Sequence, residues 1–303
     1  MTAKPQLISL LANWYSGATL LTILLNAHSQ IVSNGESMYF DENDTKRYDC
    51  SCGKYIDECE FYETTTRHMW RADGTGWDNR LFVQVPPFSR KPVLRSFLHS
   101  PRLESTLRQE FINIIPAYRG TRNRFLDAQL QFFANARAFS GASIYLDGTK
   151  SIRRAQLFAR DDRCAMKVLH LVRDGRGFCA SYVKNMRPTP SWSDAAKAWV
   201  SYIDQVDQFS RIFPSVPVLV VRYEDLCRST AEVIRSVCRF LDISYEEPAA
   251  DMMKGAHILG NRMRRKFDGT ITEDSSWKEK LDGGTQAELT SLMKGRLEQF
   301  GYL

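Results

Sequence analysis

Apolar positions along the chain fall into short continuous runs that alternate with longer stretches of helical period. Residues 7–11 form one such run, and the chain then passes through Asn13, Trp14, Tyr15, Ser16 and Gly17 into the apolar stretch 19–25. That order predicts strand, tight loop, helix. Residues 31–32, 144–147, 166–172 and 216–222 are further predicted strands, each bounded by turn residues. Helical spacing is predicted over 101–115, 122–139, 152–160, 178–184 and, through Trp192, Ala195, Trp199, Tyr202, Val206 and Phe209, over 191–213. A helix through Leu241 follows the last strand. Strands alternating with helices predict an α/β fold with a parallel, doubly wound sheet flanked by helices. No repeat or linker divides residues 1–303, which reads as one domain. The exception to the periodicity is an insert at about residues 37–92, polar and aromatic and long for a plain connection, as inserts that cover a bound ligand are.

Parallel α/β sheets bind ligands at the carboxyl ends of their strands, so chemistry is sought at the strand exits. The first is Tyr15-Ser16-Gly17-Ala18-Thr19-Leu20, where loop amides and a helix N-terminus would cradle an anion and the Ser16 and Thr19 hydroxyls would add donors. It lacks the second glycine and the lysine of a Walker A loop. Glu36 sits at the second exit, and Asp147-Gly148-Thr149-Lys150 at the third. Arg173 ends the fourth strand, and Ser181 lies eight residues on, in the next helix. A planar guanidinium and a short hydroxyl in that relation suit one phosphate gripped from two sides.

Charge changes this picture little. The chain has 41 basic and 35 acidic residues, a net +6 that suits an anionic small ligand. Its basic groups, Arg153/Arg154 and Arg262/Arg264/Arg265/Lys266, form no aromatic-interleaved stripe, so nucleic acid is not an expected partner. No apolar run is long enough to span a membrane, and residues 1–6 carry no secretory pattern, so the expected location is cytoplasmic. Seven cysteines in such a chain are expected to be reduced. Cys50, Cys52 and Cys59 cluster, but not at the paired spacing of a structural zinc site; with His68 the conceivable fourth ligand, the reading is structural thiols or a local bridge, and no metal. His28, His99, His170 and His257 carry no catalytic motif, and packing or helix-end roles are expected of His28 and His170.

Taken together, these residues resemble the sulfotransferase family that uses 3′-phosphoadenosine 5′-phosphosulfate (PAPS). Ser16-Gly17-Ala18-Thr19-Leu20-Leu21 is similar to the family's 5′-phosphosulfate loop, and Arg173-Asp174 with Ser181 to its 3′-phosphate motif. Tyr223-Glu224-Asp225-Leu226 resembles a segment whose tyrosine lies near the nucleotide, and Trp277-Lys278 a pair near the C-terminus. Gly35-Glu36, Cys50-Ser51-Cys52-Gly53, Cys59 and Asp147-Gly148-Thr149-Lys150 resemble elements of a bacterial branch.

The resemblance implies a P-loop-like sulfotransferase architecture. It also implies transfer of the sulfuryl group of PAPS to a hydroxyl or amine of a small-molecule or carbohydrate acceptor, with no metal cofactor. Tyr15, Ser16, Gly17, Ala18, Thr19, Leu20, Arg173, Ser181, Tyr223 and Arg262 are the expected nucleotide-binding residues; Glu36 is the expected base and Lys150 the cation at the transferring group. Two departures matter: Tyr15 stands where the family has a basic residue, and Ala18 where it has a threonine. They leave open a non-catalytic adenosine-bisphosphate-binding module with a degenerate loop. An ATP-dependent kinase is disfavoured by the missing Walker lysine.

Overall fold

The computed structural model of the chain describes residues 4–37, 48–69, 115–248 and 252–303. Five strands, β1 (Gln6–Ala12), β2 (Ile31–Val32), β3 (Ile144–Asp147), β4 (Ala165–Val172) and β5 (Val218–Arg222), form one sheet in the order β2-β3-β1-β4-β5. Every pairing is parallel. β1 pairs with β3 on one side and β4 on the other; the chain leaves β1 for β2 on the first side and later crosses from β3 to β4 on the second, so the strand order reverses at the exit of β1. That crevice is where open α/β sheets hold ligands.

Alternation along β1 assigns its two faces. Leu7 and Leu11 pack with Phe125, Phe132, Phe158 and Phe209 in one cluster, whereas Ile8, Leu10 and Ala12 pack with Leu20, Leu21 and Leu24 in another. Period-2 side chains on a strand covered by helices on both faces must all be apolar, and only Ser9 interrupts the run. Each fully buried leucine or isoleucine stabilises the fold by roughly 1.5–3 kcal/mol.

The first face is covered by α3 (Pro116–Ser140), α4 (Ile152–Ala159) and α6 (Trp192–Ile212); the second by α1 (Ala18–Asn26) and α8 (Thr230–Leu241). Between them in sequence lie α2 (Glu60–Thr66), α5 (Gly175–Asn185) and α7 (Tyr223–Arg228), and α9 (Met263–Lys266), α10 (Trp277–Lys280) and α11 (Gly283–Gln299) follow. The helix starts have local causes: Ser151, Asp174, Ser191 and Asp282 each cap the helix that follows with a side-chain oxygen.

Several boundaries differ from the sequence expectation. The single helix expected after β5 is two, parted at Ser229, whose φ −136° and ψ 52° are not helical. The last helix, α11, gives little signal in the sequence because it buries only Leu289, Met293 and Leu297, a narrow stripe at four-residue spacing. Within the insert, residues 48–69 fold into two short 3₁₀ turns and α2, which packs Phe61 on Phe132 of α3. The rest of the insert and the helix expected over 101–115 lie outside the described residues.

Candidate active site

Because all strands run the same way, their exits line one edge of the sheet. In spatial order these exits present Glu36 (β2), Lys150 (β3), the loop 13–17 (β1), Arg173 (β4) and Tyr223 (β5). Sequence positions from 13 to 223 thus meet along one line.

The β1 exit is a turn of two left-handed residues, Tyr15 at φ +60° and Gly17 at +85°, leading into α1. Glycine is required at 17: a Cβ there would lie 2.4 Å from Cδ2 of Tyr223. Ser16 is 1% exposed and its Oγ has no hydrogen-bond partner among the described residues. A buried orphan hydroxyl costs about 1–3 kcal/mol, so it marks a place built for a ligand. The first amides of α1 have no carbonyl to meet, as at any helix start, and they lie beside it. Ala18 and Leu20 bury their side chains in the core, which leaves only their backbone for a ligand. Tyr15 is 38% exposed, and its hydroxyl meets the Met186 sulfur at 3.9 Å.

Arg173 is buried, and both terminal nitrogens are engaged. Nη1 donates to the Tyr15 carbonyl at 2.9 Å, and Nη2 donates to the Asp274 carbonyl at 2.6 Å and to its carboxylate at 3.0 Å. The guanidinium lies over the Tyr223 ring, 4.9 Å from the centroid. Burial works against the Asp274 anion, yet hydrogen bonds from Ser276 and Arg173 and the arginine's charge hold its carboxyl below the ordinary value. Tyr223 is pushed up to about 12 by burial, and its hydroxyl accepts the Asp274 amide at 3.1 Å. Arg173 Nε lies over Gly177, where an added Cβ would be 3.2 Å away. Ser181 is one helical turn further along that face of α5, half-buried. Trp199 and Asp274, which the sequence reading missed, thus fix this corner: the Trp199 indole donates to the Arg173 carbonyl at 3.2 Å.

At the other end of the line, the Lys150 ammonium donates directly to the Glu36 carboxylate. The lysine side chain is 7% exposed and the glutamate 26%. Lys150 has φ +61°, a strained setting for a side-chain-bearing residue. Its carbonyl accepts from Tyr202 at 2.9 Å, and the same phenol oxygen accepts the Ala12 amide at 3.0 Å. Beneath, Asp147 binds buried Arg154 at 3.1 Å and caps Thr149. Arg154, read from sequence as part of a basic group, is 1% exposed and structural.

Glu36 is held from behind by a strap, residues 256–260. Its amide donates to the Leu259 carbonyl at 3.2 Å, and Gly35 pairs with Leu259 so closely that a Cβ would lie 2.1 Å from that oxygen. Gly260 lies beside both Glu36 and Thr19, each within 4 Å of its would-be Cβ. Arg262, expected at the nucleotide, is exposed at the start of α9, whereas Arg264 is buried, donating to the carbonyls of Gly260 and Asp49 at 2.5 and 2.9 Å. Of that basic group Arg264 braces the strap, and sequence spacing did not separate it from Arg262.

The histidines divide as follows. His28 contacts the Ser244 carbonyl at 2.7 Å and accepts the Gln30 amide, a helix-end role. His170 is buried in β4. His68 does not join the cysteines: its Nε2 meets the Ala128 carbonyl at 2.9 Å, and His257 is at the cluster instead. All seven cysteines are free, so the local bridge is not formed. His99 lies outside the described residues.

Residues 165–247 match the model of the sulfotransferase family, and this segment contains Arg173, Ser181 and Tyr223. Among solved structures, the sulfotransferase domain from the Synechococcus PCC 7002 olefin synthase is similar at a TM-score of 0.53 and 16% identity, over 97% of this chain and 95% of that one. The sulfotransferase domain from the curacin biosynthetic pathway aligns at 0.49 and 16%, over 97% and 99%. Mouse sulfotransferase SULT7A1 complexed with PAP aligns at 0.45 and 10%, over 98% and 86%. No curated protein matches the chain. The fold is that of the sulfotransferases, as the sequence resemblance implied.

Proposed function

We propose that the chain is a PAPS-dependent sulfotransferase acting on a hydroxyl or amine of a small acceptor. The observation that carries the reading is the orphan Ser16 hydroxyl, buried beside the free amides of α1 at the point where the strand order reverses. Those groups fit the 5′-phosphosulfate. The 3′-phosphate falls to Arg173 and Ser181, with Tyr223 beside the nucleotide. Arg173 now holds the half-exposed carboxylate of Asp274, and a phosphate would exchange one anion for another on the same fork. Arg262, exposed at the start of α9 two residues beyond Gly260, is assigned as a further cation for the nucleotide.

The donor supplies an activated sulfuryl group and leaves as adenosine 3′,5′-bisphosphate. Glu36 takes the proton that the acceptor loses, and Lys150 offers its charge to the oxygen left behind, replacing the basic residue for which Tyr15 stands. The Lys150–Glu36 pair keeps two charged groups matched and oriented at one end of the strand-exit line. Holding and charge stabilisation do the work, without a covalent intermediate.

The test is calorimetry with adenosine 3′,5′-bisphosphate and AMP. The bisphosphate should bind about ten- to a hundredfold tighter, the equivalent of roughly 1.5–3 kcal/mol for a charge-assisted contact, and Arg173→Ala should erase the difference. Equal affinities in the parent protein would refute the reading. Tyr15 favours one rival, a nucleotide-binding module without turnover; tight bisphosphate binding with no donor breakdown under any acceptor would decide for it.

A further inference from the structure

Outside the strand-exit line, one constellation is unused by sulfuryl transfer. The sulfurs of Cys50, Cys52 and Cys59 and a ring nitrogen of His257 all lie within 4.8 Å of one another. We propose that these four side chains are a structural zinc site, which ties residues 48–69 to the strap that backs Glu36.

The distances are those of a tetrahedron's edges. Zinc–sulfur bonds of about 2.3 Å and zinc–nitrogen bonds of about 2.0–2.1 Å at tetrahedral angles put sulfurs about 3.8 Å apart and sulfur and nitrogen about 3.6 Å apart. Cys52 Sγ to Cys59 Sγ is 3.7 Å, Cys50 Sγ to His257 Nδ1 is 3.7 Å, and Cys59 Sγ to His257 Nδ1 is 3.2 Å. Four ligands so close enclose a single ion, and four protein ligands leave no open position, so the site is structural. Three thiolates and an imidazole are a soft set that selects zinc over magnesium or calcium.

The surroundings are built for ligation. Cys50-Ser51-Cys52-Gly53 is a tight turn in which the Gly53 amide donates to the Cys50 carbonyl at 3.0 Å, with Gly53 at φ +87°. Backbone amides also meet the sulfurs, that of Cys52 at Cys50 and that of Tyr62 at Cys59. His257 is clamped: Phe61 stacks on its ring at 4.9 Å and 4°, Phe139 abuts it edge-on at 5.9 Å, and Tyr62 donates to its carbonyl at 2.7 Å. Such outer contacts fix a metal-bound ring in orientation. Cys50 and Cys59 are buried and Cys52 is exposed, an entry side for the ion.

The site joins segments about 200 residues apart, a separation of 198 from Cys59 to His257. The two segments are also laced by Ser51, which donates to the Ala256 carbonyl at 2.7 Å and accepts the Ile258 amide at 2.8 Å. Leu259 then holds Glu36. An ion here closes a long loop, the case in which a cross-link stabilises most.

The test is elemental analysis of the full chain purified under reducing conditions. We expect one zinc per chain. After chelation, cobalt should bind and give the visible bands and thiolate charge-transfer absorption of a tetrahedral site. Cys52→Ser, at an exposed ligand, and His257→Phe, which keeps the ring stack, should each lose the metal by more than the roughly 10–100-fold that an outer-shell change costs. His257→Cys should keep it with stronger charge-transfer absorption, and Cys227→Ser, outside the cluster, should be unaffected. Bisphosphate affinity measured alongside separates this site from the donor site. Substoichiometric zinc with no cobalt spectrum, a Cys52–Cys59 disulfide in the reduced preparation, or full metal retention in both ligand-deleting variants would overturn the proposal.

Discussion

The two ends of the strand-exit line are assembled by opposite means. At the proposed donor end, loop 13–17 and Arg173 each lie in a strand-loop-helix unit of consecutive residues whose backbone turn is set within the unit by a left-handed glycine or an Asp cap, with Trp199 and Asp274 then holding the arginine from outside it. At the other end, Glu36 depends on Leu259, Lys150 and the cysteine-bearing turn, partners reached only through the tertiary fold. Local construction gives an end that forms wherever the sheet forms. Long-range construction gives one whose shape is set by chain segments free to vary, as an acceptor site must be if one fold serves different acceptors.

Three experiments sharpen that contrast. The largest effect is expected from Glu36→Gln, which keeps shape and hydrogen bonding but removes the base. Turnover should fall about 10²–10⁴-fold with bisphosphate affinity unchanged. Full turnover with a true acceptor would dissolve the division of labour.

Gly17→Ala attacks the donor end. The new Cβ meets the Tyr223 ring at 2.4 Å with the backbone at φ +85°. About 1–2 kcal/mol for the left-handed backbone and about 1–3 kcal/mol for overpacking should be lost from folding stability, with donor affinity, while zinc content stays. Loss of zinc in this variant would mean that the two ends are coupled after all.

The smallest effect belongs to the sheet that both ends share. Burial pushes His170 down to about 4 from its ordinary 6.5. The ring is neutral in the fold but protonates in the unfolded chain first, so its full stabilising margin holds above about pH 6.5 and is lost as pH falls toward 4. Urea midpoints should drop over that window, by on the order of 1–3 kcal/mol in stability, and His170→Gln should flatten the profile. An unchanged profile would show that other groups set the acid limb.

Legibility in the sequence follows the same divide. The five strands and loop 13–17 were readable because short continuous apolar runs and the Gly17 and Asp174 signals act over a few residues. Glu36 and Lys150 were readable as strand exits, but their direct contact was not, since nothing in either motif encodes the register between β2 and β3. His257 was beyond reach. The cysteine cluster ended at Cys59 without the paired spacing of a zinc site, and the nearer His68 was the conceivable fourth ligand, whereas topology brings a residue 198 positions on into the cluster. Asp274 and Tyr202 were missed for the same reason: each acts on a strand exit from an element that carries no motif of its own.

The Tyr202 hydroxyl, which receives the Ala12 amide and donates to the Lys150 carbonyl, makes α6 a gauge block between two jaws. One oxygen sets how far the β1 exit stands from the β3 exit, and thus the gap that donor and acceptor must share. Neither reactant needs to touch the helix for its placement to matter. Drift in the packing of Trp199, Ile203, Val206 or Phe209, all buried along α6, would register as misalignment of two otherwise intact sites, with each ligand still bound and the distance between them wrong.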